Sequence, residues 1–123
     1  CINPLIVHGQ THGGIVQGAG QALFEHCFVD HNSGQPVTGS LMDYGISRAA
    51  DFPSFKTEIA EVLSPTNPLG IKAGGEGGTT PALATIVNAV VDALADFGVE
   101  DIAMPLTPQR VWAAIQNSSS SNH

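Results

Sequence analysis

The stretch "GGEGGTTPALATIVNAVVDALADFG", residues 74–98, joins two opposite kinds of sequence. Its first five residues are four glycines around one carboxylate, Glu76. Its remainder reads as a helix from about Pro81 to Phe97. Thr80 suits the N-cap, Pro81 the first helical position and Gly98 the residue just past the end. Leu83, Ile86, Val87, Val90, Val91 and Leu94 recur at helical spacing and make a broad apolar face.

Working outward, residues 11–27 carry Ile15, Ala19, Ala22, Leu23 and Cys27 at a spacing that predicts a helix near 12–27. Each glycine inside it costs about 1 kcal/mol relative to alanine. Gly14 and Gly18 share one face, so another backbone or a ligand must come close enough to offset that cost. Residues 37–46 and 55–62 read as strands, the second on an imperfect alternation of Phe55, Thr57 and Ile59. Pro65 and Pro68 mark a turn after it. A last helix is expected near 108–116, burying Val111, Trp112 and Ile115. The polar tail 117–123 is expected to be frayed. The expectation is therefore α/β: helices packed on a small sheet in one unit, residues 1–116.

A chain of 123 residues predicts one domain, and 42% hydrophobic residues suffice for a core. Only 12% of residues are charged, about half the usual share. That scarcity predicts packing against other protein and a large apolar surface patch. A chain that begins at Cys1 reads as a fragment or a processed subunit. Net charge is −7, and Arg48, Lys56, Lys72 and Arg110 are the only Lys or Arg residues. They form no cluster of the kind nucleic acid requires. No apolar run is long enough to span a membrane. Cys1 and Cys27 make no zinc pattern, and Cys27 is expected to be a buried small hydrophobe. Reduced cysteines favour the cytoplasm, with the periplasm as the alternative.

Ten of the fourteen glycines fall in residues 9–20 and 70–78. Both clusters adjoin helix starts, where free backbone N–H groups bind anions, so they could cradle one anionic cofactor or simply connect elements. Lys72 precedes its glycines, so the loop is no P-loop, and "GAGQAL" fails the dinucleotide pattern. Glu76 is a solvated polar residue if the loop is open, or a general base if the loop lines a closed pocket. Gln17, between Gly14 and Gly18, can both donate to and accept from a polar heterocycle, or stand exposed on its helix. His8 and His12 have metal-ligand spacing, but Gly9 argues against a helix across both, and no third ligand is obvious.

Five blocks in order carry a resemblance. They are "INPLIVHGQTHGGIVQGAGQAL" (2–23), "GSLMDYGISRAADFP" (39–53), "SPTNPLGIKAGGEGGTTPA" (64–82), "NAVVDAL" (88–94) and "MPLTPQRVW" (104–112). Together they resemble the C-terminal part of the molybdopterin-binding large subunit of the xanthine oxidase family, in its bacterial carbon monoxide dehydrogenase and aldehyde oxidase-like branch. The resemblance implies a molybdenum hydroxylase that oxidises an aldehyde, an N-heterocycle or a similar small substrate with water as oxygen source. It implies a molybdenum-pyranopterin, in the cytosine dinucleotide form, with [2Fe–2S] clusters and FAD on partner subunits or domains. Matched residue by residue, Glu76 becomes the general base, Gln17 a pterin ligand, and Ala73, Gly74 and Gly75 backbone neighbours of the cofactor. No metal ligand is carried over. The isolated chain is expected to be inactive. The competing reading is a noncatalytic assembly module that retains the fold.

Overall fold

The computed structural model describes residues 1–120. Three helices carry the architecture: α1 (Pro4–Leu23), α2 (Thr79–Ala93) and α3 (Pro108–Ser120). A short 3-10 turn, Ala95–Phe97, extends α2, and another lies at Ala49–Asp51.

Helix α1 starts earlier than its apolar spacing predicts. The Asn3 side chain accepts a hydrogen bond from the Ile6 N–H at 3.3 Å, and Pro4 occupies the first turn. That cap sets the start. The helix then runs through five glycines, which local propensity alone disfavours. The approach of α2 offsets the cost. A Cβ on Gly14 would stand 3.0 Å from the Thr79 nitrogen, and one on Gly18 would stand 2.7 Å from the Thr79 carbonyl oxygen. From the opposite side, a Cβ on Gly78 would lie 2.6 Å from the Thr11 carbonyl oxygen. The partner of the Gly14–Gly18 face is thus another backbone and not a ligand.

Ala19, Ala22 and Ala82 are buried, and Leu94, Val99, Ile102 and Leu106 extend the core towards α3. The Leu106 N–H donates to the Ala22 carbonyl at 2.6 Å. The Arg110 guanidinium donates to the carbonyls of Ala103 and Met104, which ties α3 to the same segment. Gly98 takes the left-handed φ of +74° expected after α2, whereas that helix begins at Thr79, before the expected Thr80 cap.

The small sheet is not formed: among the described residues there is no strand, only one isolated bridge between Val29 and Pro36. Residues 37–46 turn instead, with the Ser40 carbonyl accepting from the N–H groups of Asp43 and Tyr44. Residues 55–62 form no regular element, and no neighbouring backbone pairs with them. Side chains hold that segment to α1. The Thr57 hydroxyl bonds His8 Nδ1 at 2.7 Å and His12 Nε2 at 3.0 Å. Ring contacts of His12 with Phe55, Phe55 with Phe52 and Phe52 with Phe24 continue the strap.

Other expectations also change. His8 and His12 lie on one helix despite Gly9. Cys27 is exposed because α1 ends at Leu23, before reaching it, and Trp112 on α3 is 65% exposed. Helix α3 takes in residues 117–120 of the expected tail, and residues 121–123 lie outside the described residues.

Candidate functional site

The glycine-rich loop leaves a firm turn and enters a helix. Asn67 closes the turn: its side chain donates to the Ile71 carbonyl at 3.0 Å and accepts from the Ile71 N–H at 2.9 Å. Gly70 has φ +64°, a left-handed conformation that glycine adopts without strain. Beyond it the chain carries little side-chain bulk. A Cβ on Gly74, Gly75 or Gly77 would meet nothing within 4 Å, so this backbone edge is open to close approach.

Glu76 stands in the middle of that edge with its side chain exposed. Its carbonyl accepts the Thr80 N–H at 3.1 Å, the first bond leading into α2. The carbonyl just before it, on Gly75, accepts from Gln10 Nε2 of α1 at 2.9 Å. Gln17, one face further along α1, accepts from the Thr79 hydroxyl at 3.5 Å, a long contact on an exposed side chain. Gln17, Gly74, Gly75 and Glu76 thus gather around the N-terminus of α2, with Ala73 just before them. Of the two alternatives for Glu76, the described residues give the open loop: they form no closed pocket around it. A cleft of about 280 Å³ lies beside the loop, between Gln10, Thr11 and Lys72 and the glycine backbone. A larger groove of about 610 Å³ adjoins it, lined by apolar side chains including Ile2, Ile6, Val62, Leu63 and Leu69.

No group of three His, Cys, Asp or Glu side chains gathers to hold a metal ion among the described residues. The nitrogens of His8 and His12 instead converge on Thr57, 49 and 45 residues away in sequence. Among the described residues two titratable groups are shifted, and both lie away from the glycine loop. The Tyr44 phenol is pushed up because its hydroxyl donates to Glu25 at 2.6 Å and faces that negative charge. Asp30 is held below its ordinary value by the hydroxyl and N–H of Ser33. Sequence reasoning missed Thr57 and Thr79 as partners, since nothing local announces a contact with a distant helix. No helix is long and apolar enough to cross a membrane among the described residues.

Residues 1–53 match the family of the molybdopterin cofactor-binding domain, a span that includes Gln10 and Gln17 but not Glu76. Over 118 residues the chain is 44% identical to the 6-hydroxypseudooxynicotine dehydrogenase complex subunit gamma of Paenarthrobacter nicotinovorans, covering 94% of this chain and 14% of that protein. Quinoline 2-oxidoreductase from Pseudomonas putida 86 superposes with a TM-score of 0.85 at 45% identity, over 94% of this chain and 14% of that one. Reconstituted CO dehydrogenase from Oligotropha carboxidovorans gives a TM-score of 0.88 at 30% identity, over 98% of this chain and 15% of that one. The chain spans about one seventh of the length of these relatives.

Proposed function

Because this chain is homologous to molybdenum-binding large subunits of the xanthine oxidase family, we propose that it forms one wall of a molybdenum hydroxylase site, with Glu76 as general base. One observation carries the reading. An exposed carboxylate projects from a loop whose Gly74, Gly75 and Gly77 have open space where a Cβ would stand. A backbone edge of that kind fits a large planar cofactor, because carbonyl and N–H groups can approach it without side chains between. Ala73, Gly74 and Gly75 would lie along the cofactor. Gln17 would donate to and accept from its polar heterocycle.

When bound, the molybdenum-pyranopterin, in its cytosine dinucleotide form, supplies the two-electron acceptor for the substrate. [2Fe–2S] clusters and FAD on partner subunits or domains would supply the onward electron acceptors. Within this chain, a Glu76 carboxylate oxygen would accept the proton of the hydroxyl that attacks the substrate carbon, while the C–H bond of that carbon breaks and its hydrogen leaves with the electron pair to the two-electron acceptor. Such a base is worth roughly 10²–10⁴ in rate. The substrate is an aldehyde, an N-heterocycle or a similar small molecule. The 45%-identical quinoline oxidoreductase favours an N-heterocycle within that class. The rest of a large subunit closes the pocket over Glu76 and covers the apolar groove, so the isolated chain does not turn over.

The test compares wild type with Glu76→Gln in the full-length protein and its partner subunits, on a panel of N-heterocycles and aldehydes at matched molybdenum content. Turnover falls by about 10²–10⁴ with metal retained if Glu76 is the base. Unchanged turnover means that the loop only shapes the pocket. Absence of turnover in the wild type with its partner subunits would favour the noncatalytic assembly module, which the exposed apolar residues also fit.

A further inference from the structure

Between Ala73 and Gly78 the loop has almost no side chain with which to hold itself in place. An exposed carboxylate on such a loop samples many directions unless its backbone is fixed. Two hydrogen bonds bracket Glu76. Gln10 Nε2 of α1 donates to the Gly75 carbonyl at 2.9 Å, and the Thr80 N–H donates to the Glu76 carbonyl at 3.1 Å. The Gly75 carbonyl lies in the same peptide plane as the Glu76 nitrogen. The Glu76 carbonyl lies in the plane of the next peptide. Peptide units are rigid, so the two planes that meet at the Glu76 Cα determine its φ and ψ. They therefore set the direction of its Cα–Cβ bond. One plane is held by α2, the helix the loop enters. The other is held across the cleft by a side chain 65 residues away. Its helix is itself immobilised, because Gly14 and Gly18 press it against Gly78 and Thr79.

We infer that Gln10 is a positioning residue: its amide fixes the peptide plane before Glu76 and so aims the carboxylate. The inference rests on Glu76 acting as the base, as proposed above. Gln10 touches backbone and not the reacting atoms, so its loss should act on the chemical step more than on substrate capture. Misplacing a catalytic group by about 1 Å can cost on the order of 100-fold in rate.

The experiment uses the full-length protein with its partner subunits. Gln10→Met keeps length and helix propensity but removes the donor. Gln10→Lys restores a donor of similar reach. Two readouts are taken: turnover at matched molybdenum content, and amide hydrogen exchange of the peptide spanning residues 73–82. Gln10→Met is expected to exchange faster there and to lose about 10- to 100-fold in kcat, with KM changed less than about twofold. Gln10→Lys is expected to recover both in part. Unchanged exchange in Gln10→Met overturns the inference, as does faster exchange with kcat retained while Glu76→Gln is inactive. An active Glu76→Gln overturns the general-base reading instead, and exchange alone then decides whether Gln10 holds the loop.

Discussion

At the scale of single residues, glycine has two uses in this chain, and the structure separates them. Gly14, Gly18 and Gly78 are glycines because a neighbouring backbone occupies the space a methyl would need. Gly13, Gly74, Gly75 and Gly77 have open space there. Gly18→Ala would push a methyl to 2.7 Å from the Thr79 carbonyl oxygen and 2.8 Å from the Ala82 Cβ. It should destabilise by about 1–3 kcal/mol, the range for overpacking. Gly13→Ala, one residue from the same seam, should stabilise by about 0.5–1 kcal/mol through helix propensity alone. Thermal denaturation of the two variants in the full-length protein checks the opposite signs. Equal shifts would remove the distinction.

At the scale of elements, α1 is the scaffold on which the other parts are placed. Its C-terminal half meets α2, Gln10 reaches the glycine loop, Gln17 meets Thr79 at the start of α2, and His8 and His12 hold the strap at Thr57. The strap reads as a strand because Phe55, Thr57 and Ile59 alternate along it. A strand also needs a partner backbone, and here side-chain bonds replace it. Thr57→Val keeps the shape and removes both hydrogen bonds, each worth about 1 kcal/mol. Hydrogen exchange of residues 52–58 should rise by several-fold while that of α2 stays unchanged. A strap held by its ring contacts alone would show no rise. The Asn3–Pro4 start was legible in principle, but the glycines that follow outweigh it in any local reading.

At the scale of the whole molecule, the surface is too large for the mass. The described chain exposes 9122 Å², whereas a compact protein of 12.7 kDa exposes about 6,200 Å². Met42 is 94% exposed, Leu5 81% and Leu41 77%, and no large side chain is fully buried among the described residues. This is the apolar surface that the low charge content predicts, spread along the molecule more than gathered in one patch. The isolated 123-residue chain should therefore bind a dye that reports exposed apolar surface, and should self-associate at micromolar concentration. The full-length protein should do neither. A monomeric, dye-silent isolated chain would mean that it repacks into a more compact form.

Linear patterns were enough for the existence of three helices, though not for the start of α1, for the turn at Gly98 and the two glycine clusters, and, through ordered motifs, for the family resemblance. Each of these depends on neighbours a few residues apart or on ordered motifs, so a linear reading reaches them. Three-dimensional packing was needed to show that the Gly14–Gly18 face meets a backbone, that both histidines share one threonine, and that no sheet forms among the described residues. It also decided that Gln10 reaches the peptide before Glu76. These contacts join residues 45 to 65 positions apart, and their geometry depends on how two helices cross, which no local pattern encodes.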